Sequence, residues 1–272
     1  MQKLKEIILS FLETDFEKQL FEAAMYNLSE THNKLRFNNF AYSMRQLIEH
    51  FLDRLGPENE ILQAPWYEEP QNRKTTREQQ IKFAIQGWFT DEFFKKTLNI
   101  DYMDVSSRLR KSYNNVLNKY THIKECSFDV PDKEAQTLSQ EVLKNTIDFF
   151  NAVQESIFKV NYAIIESINE DFSYDVKEEL NCIATHYEVK AIFYDDIDLI
   201  KRKSNTLEYL VSGTINVRLQ YGSDGDMRRG DGYETTMDFP YTSNVTISFN
   251  NEDYSLEASN IDTKIDTESF YQ

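Results

Sequence analysis

Residues 40–55 read FAYSMRQLIEHFLDRL. On a 3.6-residue period Phe40, Met44, Leu47, Ile48, Phe51, Leu52 and Leu55 fall in one broad apolar stripe, which predicts an amphipathic helix laid on a core. Gly56-Pro57 directly after it is a helix stop. Arg45 and His50 lie on the two shoulders of the stripe, and five residues of helical rotation set them about 140° apart. Groups so placed meet at one phosphate only if long side chains reach around the helix or a second copy of the chain contributes one of them. The alternative is a solvated arginine and a surface histidine on a helix that only packs.

Towards the N-terminus, Leu4, Ile7, Ile8, Phe11, Leu12, Phe16, Leu20, Phe21, Ala24 and Met25 keep helical spacing over residues 3–28, as one or two helices with a break at Thr14-Asp15. Residues 29–34 are a polar connection carrying His32, read as an exposed residue. Towards the C-terminus, residues 58–73 read as an irregular loop with Trp66 and Tyr67, of the kind that is pinned to its domain or lines a cleft. Thr76 and Gln79 form a capping-box pattern before REQQIKFAIQGWF. Arg73, Lys74 and Arg77 cluster at that helix start, with Lys82 further on; they read either as a solvated face or as a phosphate-binding patch. Thr90-Asp91 caps a short helix, and a longer one is expected from Asp101 to about Tyr120. It ends in LNKYTH, where Lys119, Tyr120 and His122 sit close together; a histidine at a helix C-terminus also suits the helix dipole without any chemistry. From Pro131-Asp132 to about Ile168 a 3–4 spacing persists, predicting a helix of roughly 54 Å that joins the two halves, lines a dimer seam or is an ordinary kinked core helix.

After a short helix at Tyr174–Leu180 the period changes. YEVKAIFYDD, EYLVSGTINVRLQY, ETTMDFPY, SNVTISFN and DYSLEASN are β-rich runs bounded by Gly, Asn and Asp, so residues 183–265 read as a small antiparallel β domain, a sandwich or half-barrel. His186 has no visible partner there. The run YGSDGDMRRGDGYE carries Asp224, Asp226, Asp231 and Glu234, but the twelfth position of a calcium loop counted from Asp224 or Asp226 is Thr235 or Met237, not Glu. Gly222-Ser223 followed by Asp resembles a nucleotidyltransferase element, yet no helix is expected after it and apolar neighbours are missing. A hairpin loop whose glycines supply positive φ is the favoured account.

Charge and glycine separate the halves. Residues 1–125 hold 18 Lys+Arg and 18 Asp+Glu, while the remaining 12 against 28 supply the whole net charge of −16. Five of the seven glycines crowd between Gly213 and Gly232. An acidic C-terminal half is a poor nucleic-acid surface, because phosphate binding depends on Lys and Arg. Cys126 and Cys182 form neither a disulfide framework nor a zinc motif. No cofactor or metal is expected, and the lack of a signal-peptide pattern and of an 18-residue apolar run predicts a cytoplasmic protein without a membrane span.

Arg45-Gln46-Leu47-Ile48-Glu49-His50 resembles the signature of HEPN-type helical ribonucleases, an Arg followed four to six residues later by His, with a polar residue after the Arg. Gln46 stands where that superfamily more often has Asn, Asp or His. AYSMRQLIEHFLDRL, IKFAIQGWFTDEF, LNKYTH and VSGTINVRLQYGSDGDMRRGDG together are similar to the predicted pPIWI-associating nucleases of bacterial conflict systems. The resemblance implies an α+β chain: an all-α HEPN-like bundle at 1–125, a long helix and connector at 126–182, and a β-rich sensing domain with an acidic tail at 183–272. It implies metal-independent RNA cleavage, with catalytic Arg45, His50 and Gln46 in a site composite across a homodimer, and RNA contacts from His122, Lys119, Tyr120, Arg77 and Lys74. A defence-system partner or trigger would act through the β domain. The competing expectation is a non-enzymatic adaptor whose acidic β domain docks a nuclease, an Argonaute-like protein or a nucleotide messenger; a metal-dependent nuclease built on Asp224–Asp231 is the third.

Overall fold

Helix α3 runs Arg36–Leu55, one turn earlier than the apolar stripe alone suggested. The extra turn is held from both ends of its sequence. The Asn33 side chain accepts the Leu35 N–H at 2.9 Å, and the buried Arg36 guanidinium reaches Asp132 and the Val130 carbonyl. In the computed structural model, residues 1–101, 109, 123, 127–180 and 186–267 are described. Of the helix expected over 101–120 only Asp101 and Leu109 are among them; Lys119, Tyr120, His122, Cys126 and Cys182 lie outside.

The chain is α+β, helical first and then a sheet. It divides into two compact units, Met1–Asp91 with Asp101–Ile157, and Glu92–Ile100 with Phe158–Gln272. In the first unit α1 (Gln2–Phe11) and α2 (Asp15–Ser29) are separate helices. The break at Thr14 is a full capping box: Thr14 Oγ1 accepts the Glu17 N–H, and the Glu17 carboxylate accepts the amides of Glu13 and Thr14. Short α4 (Glu58–Ile61) interrupts the loop expected to be irregular throughout, and α5 (Arg77–Gln86) starts at the Thr76–Gln79 box. α6 (Asp91–Lys96) follows, then α7 (Asp132–Ser167), which realises the long periodic stretch over 36 residues.

The stripe of α3 is buried as its spacing requires: Phe40, Met44, Leu47, Ile48 and Leu52 are fully covered. Phe51 stacks on Phe150 of α7 at 4.1 Å between ring centres, and Phe11 closes on the same ring at 5.3 Å. The aromatic loop is pinned rather than open: the Trp66 indole N–H donates to the Gly87 carbonyl at 2.7 Å and its ring packs on Phe83.

In the second unit, the C-terminal part of α7 and α8 (Asn169–Leu180) accompany one four-stranded antiparallel sheet, order β1-β2-β3-β4: His186–Arg202, Thr206–Tyr221, Tyr233–Asn250 and Ser255–Ile265. The expected sandwich or half-barrel is thus a single sheet, with α8 against β1 and β4 where a second sheet would be. Phe172 of α8 meets both Tyr194 and Tyr241, and the buried Tyr209 hydroxyl bonds the Asn161 amide oxygen at 3.2 Å. Alternate residues of β2 and β3 are buried, from Leu207 to Leu219 and from Phe239 to Phe249, whereas Thr214, Asn216, Thr242, Asn244 and Ser248 line the other, open face.

Two features hid this sheet from a period-two reading. β3 carries Pro240 in its middle, so that ETTMDFPY and SNVTISFN, expected as two runs, are one strand. The Pro240 carbonyl accepts the Asp266 N–H on the β4 side, so the missing proline N–H faces the side where β4 ends. In β1, residues 190, 195 and 200 have no partner on β2: three bulges let Val189, Ile192, Tyr194, Ile197 and Leu199 all share a face with the buried β2 residues. Gly213 is required opposite Tyr194, because a Cβ there would stand 1.9 Å from the Phe193 carbonyl oxygen.

Where no helix was expected after Gly222-Ser223, the six-residue α9 (Asp224–Arg229) forms. Ser223 and Asp226 make its capping box and Gly230 ends it in the left-handed region at φ 82°. No helix among the described residues is long and apolar enough to cross a membrane.

Candidate functional site

Two residues of α3 and one of α5 converge on a single carboxylate, that of Glu49 on α3. Arg45 and Glu49 are one helical turn apart, and Arg45 Nε donates to Glu49 Oε1 at 3.1 Å. Gln46, three residues before Glu49, donates its amide to Oε2 at 3.1 Å. Arg77, at the first position of α5, donates Nη2 to the same Oε1 that Arg45 holds. The packing of α5 on α3 brings it there. Further along the same faces Gln80 Nε2 donates to Asp53 Oδ1 at 2.5 Å, and a Cβ on Gly56 would lie 2.8 Å from the Gln80 carbonyl, so glycine sets how closely the helices meet. Two guanidinium groups therefore share one carboxylate. The cluster is open to solvent at its rim: the side chains of Arg45, Arg77 and Glu49 are 33%, 28% and 24% exposed.

His50 stands apart from this group. Its ring meets Phe16 of α2 edge-on, 4.8 Å between centres, and it is half-buried. Arg45, Gln46 and Arg77 are thus brought together, and His50 faces another element, as the separation of the two shoulders requires. Lys74 lies on the surface, 3.5 Å from Glu58. Lys82 is engaged by Asp91 at 2.7 Å and by the face of Trp66 at 4.7 Å, so it is tied into the packing of the loop. Glu49 escaped the sequence reading because the Arg-x4-His pattern weighs only its ends; the arginine four residues before a glutamate was visible, its second partner on α5 was not.

The carboxylates of the glycine-rich segment are spent on local structure. Hydrogen bonds from the Ser223 hydroxyl and amide, then from Arg229, hold the Asp226 carboxyl below its ordinary value, and Asp224 accepts from Gln220 at 3.1 Å. Among the described residues no three His, Cys, Asp or Glu side chains are grouped to hold a metal ion.

A helical unit bearing a paired-arginine site, followed by a unit built on one antiparallel sheet, defines a two-part α+β protein. A family model described as a predicted pPIWI-associating nuclease matches residues 9–146, and a second of the same description matches residues 151–271. The chain belongs to this family of predicted nucleases. No curated protein and no solved structure matches it.

Proposed function

We propose that the chain is a metal-independent endoribonuclease of bacterial conflict immunity, with a HEPN-like site made of Arg45 and His50 across a two-fold dimer. The observation that carries this reading is the placement of the two residues on one helix, both half-buried, with Arg45 in a guanidinium pair and His50 turned to a different neighbour. A second copy supplies the other half of each site.

The chemistry needs only what these groups provide. An RNA 2′-hydroxyl gives its proton to His50 and attacks the adjacent phosphorus; the 5′-oxygen leaves and takes a proton, giving a 2′,3′-cyclic phosphate and a 5′-hydroxyl. The Arg45 fork stabilises the charge that builds on the pentacoordinate phosphorus. Gln46 orients the anion, and Arg77, Lys74, Lys119, Tyr120 and His122 contact RNA. Purified protein incubated with total RNA in EDTA is expected to yield fragments with those ends, and Arg45→Ala and His50→Ala are expected to abolish cutting with helical content intact. Wild-type cutting by either variant would sink the assignment.

A second reading has support in the other unit. The open Thr/Asn face of the sheet and the acidic balance after residue 125 suit an adaptor that docks a partner protein, and the family description names association with a pPIWI protein. Tight partner binding by a protein that never cuts RNA would favour it.

A further inference from the structure

Resting on the reading of the sheet as a docking surface, we propose that its open face seats a cationic amphipathic helix of a partner protein, centred on Phe193 and Pro240. The strand register puts Phe193 of β1, Thr214 of β2 and Pro240 of β3 opposite one another in one row. Leu210 lies on β2 two rows further along the same face, between Asp198 and Asn244. A single exposed apolar residue is ordinary on a protein surface. Here Phe193 is 55% exposed, Leu210 38%, and Pro240 is exposed as well, so solvent meets a group of them. Phe193 is also held in place, because its carbonyl accepts the hydroxyl of the buried Tyr241 at 3.3 Å. An aromatic anchor fixed in advance loses little freedom when a partner covers it.

Charge and size select the partner. The row between Phe193 and Leu210 carries Asp196, and the Leu210 row has an aspartate on each outer strand, Asp198 on β1 and Asp262 on β4. Among the described residues no ion pair neutralises these three carboxylates, whereas Arg218 on the same face is held by Glu188 at 3.1 Å and by Glu234 at 3.3 Å. An apolar centre bordered by uncompensated acids complements an apolar stripe edged with Lys and Arg, and it repels a phosphate backbone. From β1 to β3 is two strand spacings, about 10 Å, which is the width of a helix with its side chains. Helix α8 packs on this sheet from its other face, so a second helix completes the layers. A partner strand would instead join at an edge, and β1 is interrupted there by its three bulges.

The test uses the full-length chain and a fluorescein-labelled Leu/Lys peptide of about five helical turns, with Leu at i, i+3, i+4 and i+7. Binding is read by anisotropy at physiological salt, and circular dichroism checks that each variant is folded. Phe193→Ala is expected to weaken binding about tenfold through loss of the anchor. Asp196→Asn combined with Asp198→Asn is expected to weaken it by a similar factor and to reduce its salt dependence. Glu170→Gln combined with Asp171→Asn removes the same charge from exposed positions of α8 and is expected to leave the affinity unchanged. The proposal is overturned if Phe193→Ala or the Asp196/Asp198 variant binds as tightly as wild type. It is also overturned if the α8 variant loses as much as the face variants, since net charge alone then attracts the peptide. The same peptide with Glu for Lys, or a labelled single-stranded RNA, binding through Phe193 would overturn the cationic chemistry and leave the sheet a docking surface. Indifference of all three probes to every substitution on the face would remove the docking reading together with the proposal.

Discussion

Replacing Glu17 by alanine should destabilise the helical unit by about 3 kcal/mol. The Glu17 side chain is only 2% exposed and accepts three hydrogen bonds, from the Glu13 amide at 3.0 Å, the Thr14 amide at 3.2 Å and Arg54 Nε at 3.0 Å. Alanine leaves each donor without this acceptor, at about 1 kcal/mol apiece. Arg54 keeps Glu13 at 2.6 Å and the Phe11 carbonyl at 3.1 Å, so its charge is not stranded and the loss stays at the lower end of that for a broken buried pair. Glu17→Gln, which keeps the volume and one acceptor oxygen, should lose about 1–2 kcal/mol. Burial pushes the Glu17 carboxyl up, but the bonds from Arg54, Thr14 and Glu13 outweigh it and leave the group below its ordinary value of 4.5. The unfolded chain therefore binds the proton more readily, and the carboxylate's contribution is complete above about pH 4.5 and disappears as the pH falls through the lower folded value. Urea unfolding followed by far-ultraviolet circular dichroism, at neutral pH and in acid, measures both effects. An alanine variant within about 0.5 kcal/mol of wild type would refute the argument. So would a gap between wild type and Glu17→Gln that does not shrink in acid.

Gly213→Ala should destabilise the sheet unit by about 1–3 kcal/mol, since its Cβ would overlap the Phe193 carbonyl and β1 must shift; thermal unfolding with no loss of stability would contradict this. Burial pushes the Tyr194 phenol up to about 12 and raises Tyr209 and Tyr241 further. These phenols stay neutral in the folded chain near pH 10, where unfolded tyrosines ionise, so their contribution is present below that pH and is lost as it rises through the folded values. An ultraviolet titration should show a phenolate fraction that appears only on unfolding, and full ionisation of the native protein around pH 10 would count against the buried cluster.

What could be read in advance follows from which interactions are local. The stripe of α3, the Thr76–Gln79 box and the whole of α7 were legible because helical periodicity and caps are written within a few residues of one another. The Thr14–Glu17 and Ser223–Asp226 boxes obey the same rule and were passed over, one as a mere break and the other as a loop, because the surrounding glycines and acids read as turn chemistry. The single sheet was obscured by bulges and by Pro240, whose acceptability depends on where β4 ends, a fact about a distant strand. In the candidate site, Arg45, Gln46 and His50 came from one short motif. Glu49 as a hub needed Arg77, delivered by helix packing 28 residues away, and no short pattern records such a meeting.

The bulges of β1 also bear on how the protein avoids its own kind. β1 is an edge strand, and its 17 residues face β2 through only 14 pairings, the three supernumerary residues Lys190, Asp195 and Ile200 falling five apart and exposed. Without them the strand would be a regular alternating ribbon with a free row of amides and carbonyls, an invitation to the next molecule. A surplus of about 10 Å of contour on that side makes the border bend and breaks its row of hydrogen-bonding groups into stretches too short to template an incoming strand. The same arithmetic says which deletions the border tolerates: loss of any one of these three residues leaves every pairing in phase, whereas loss of a residue between them turns the following side chains inside out.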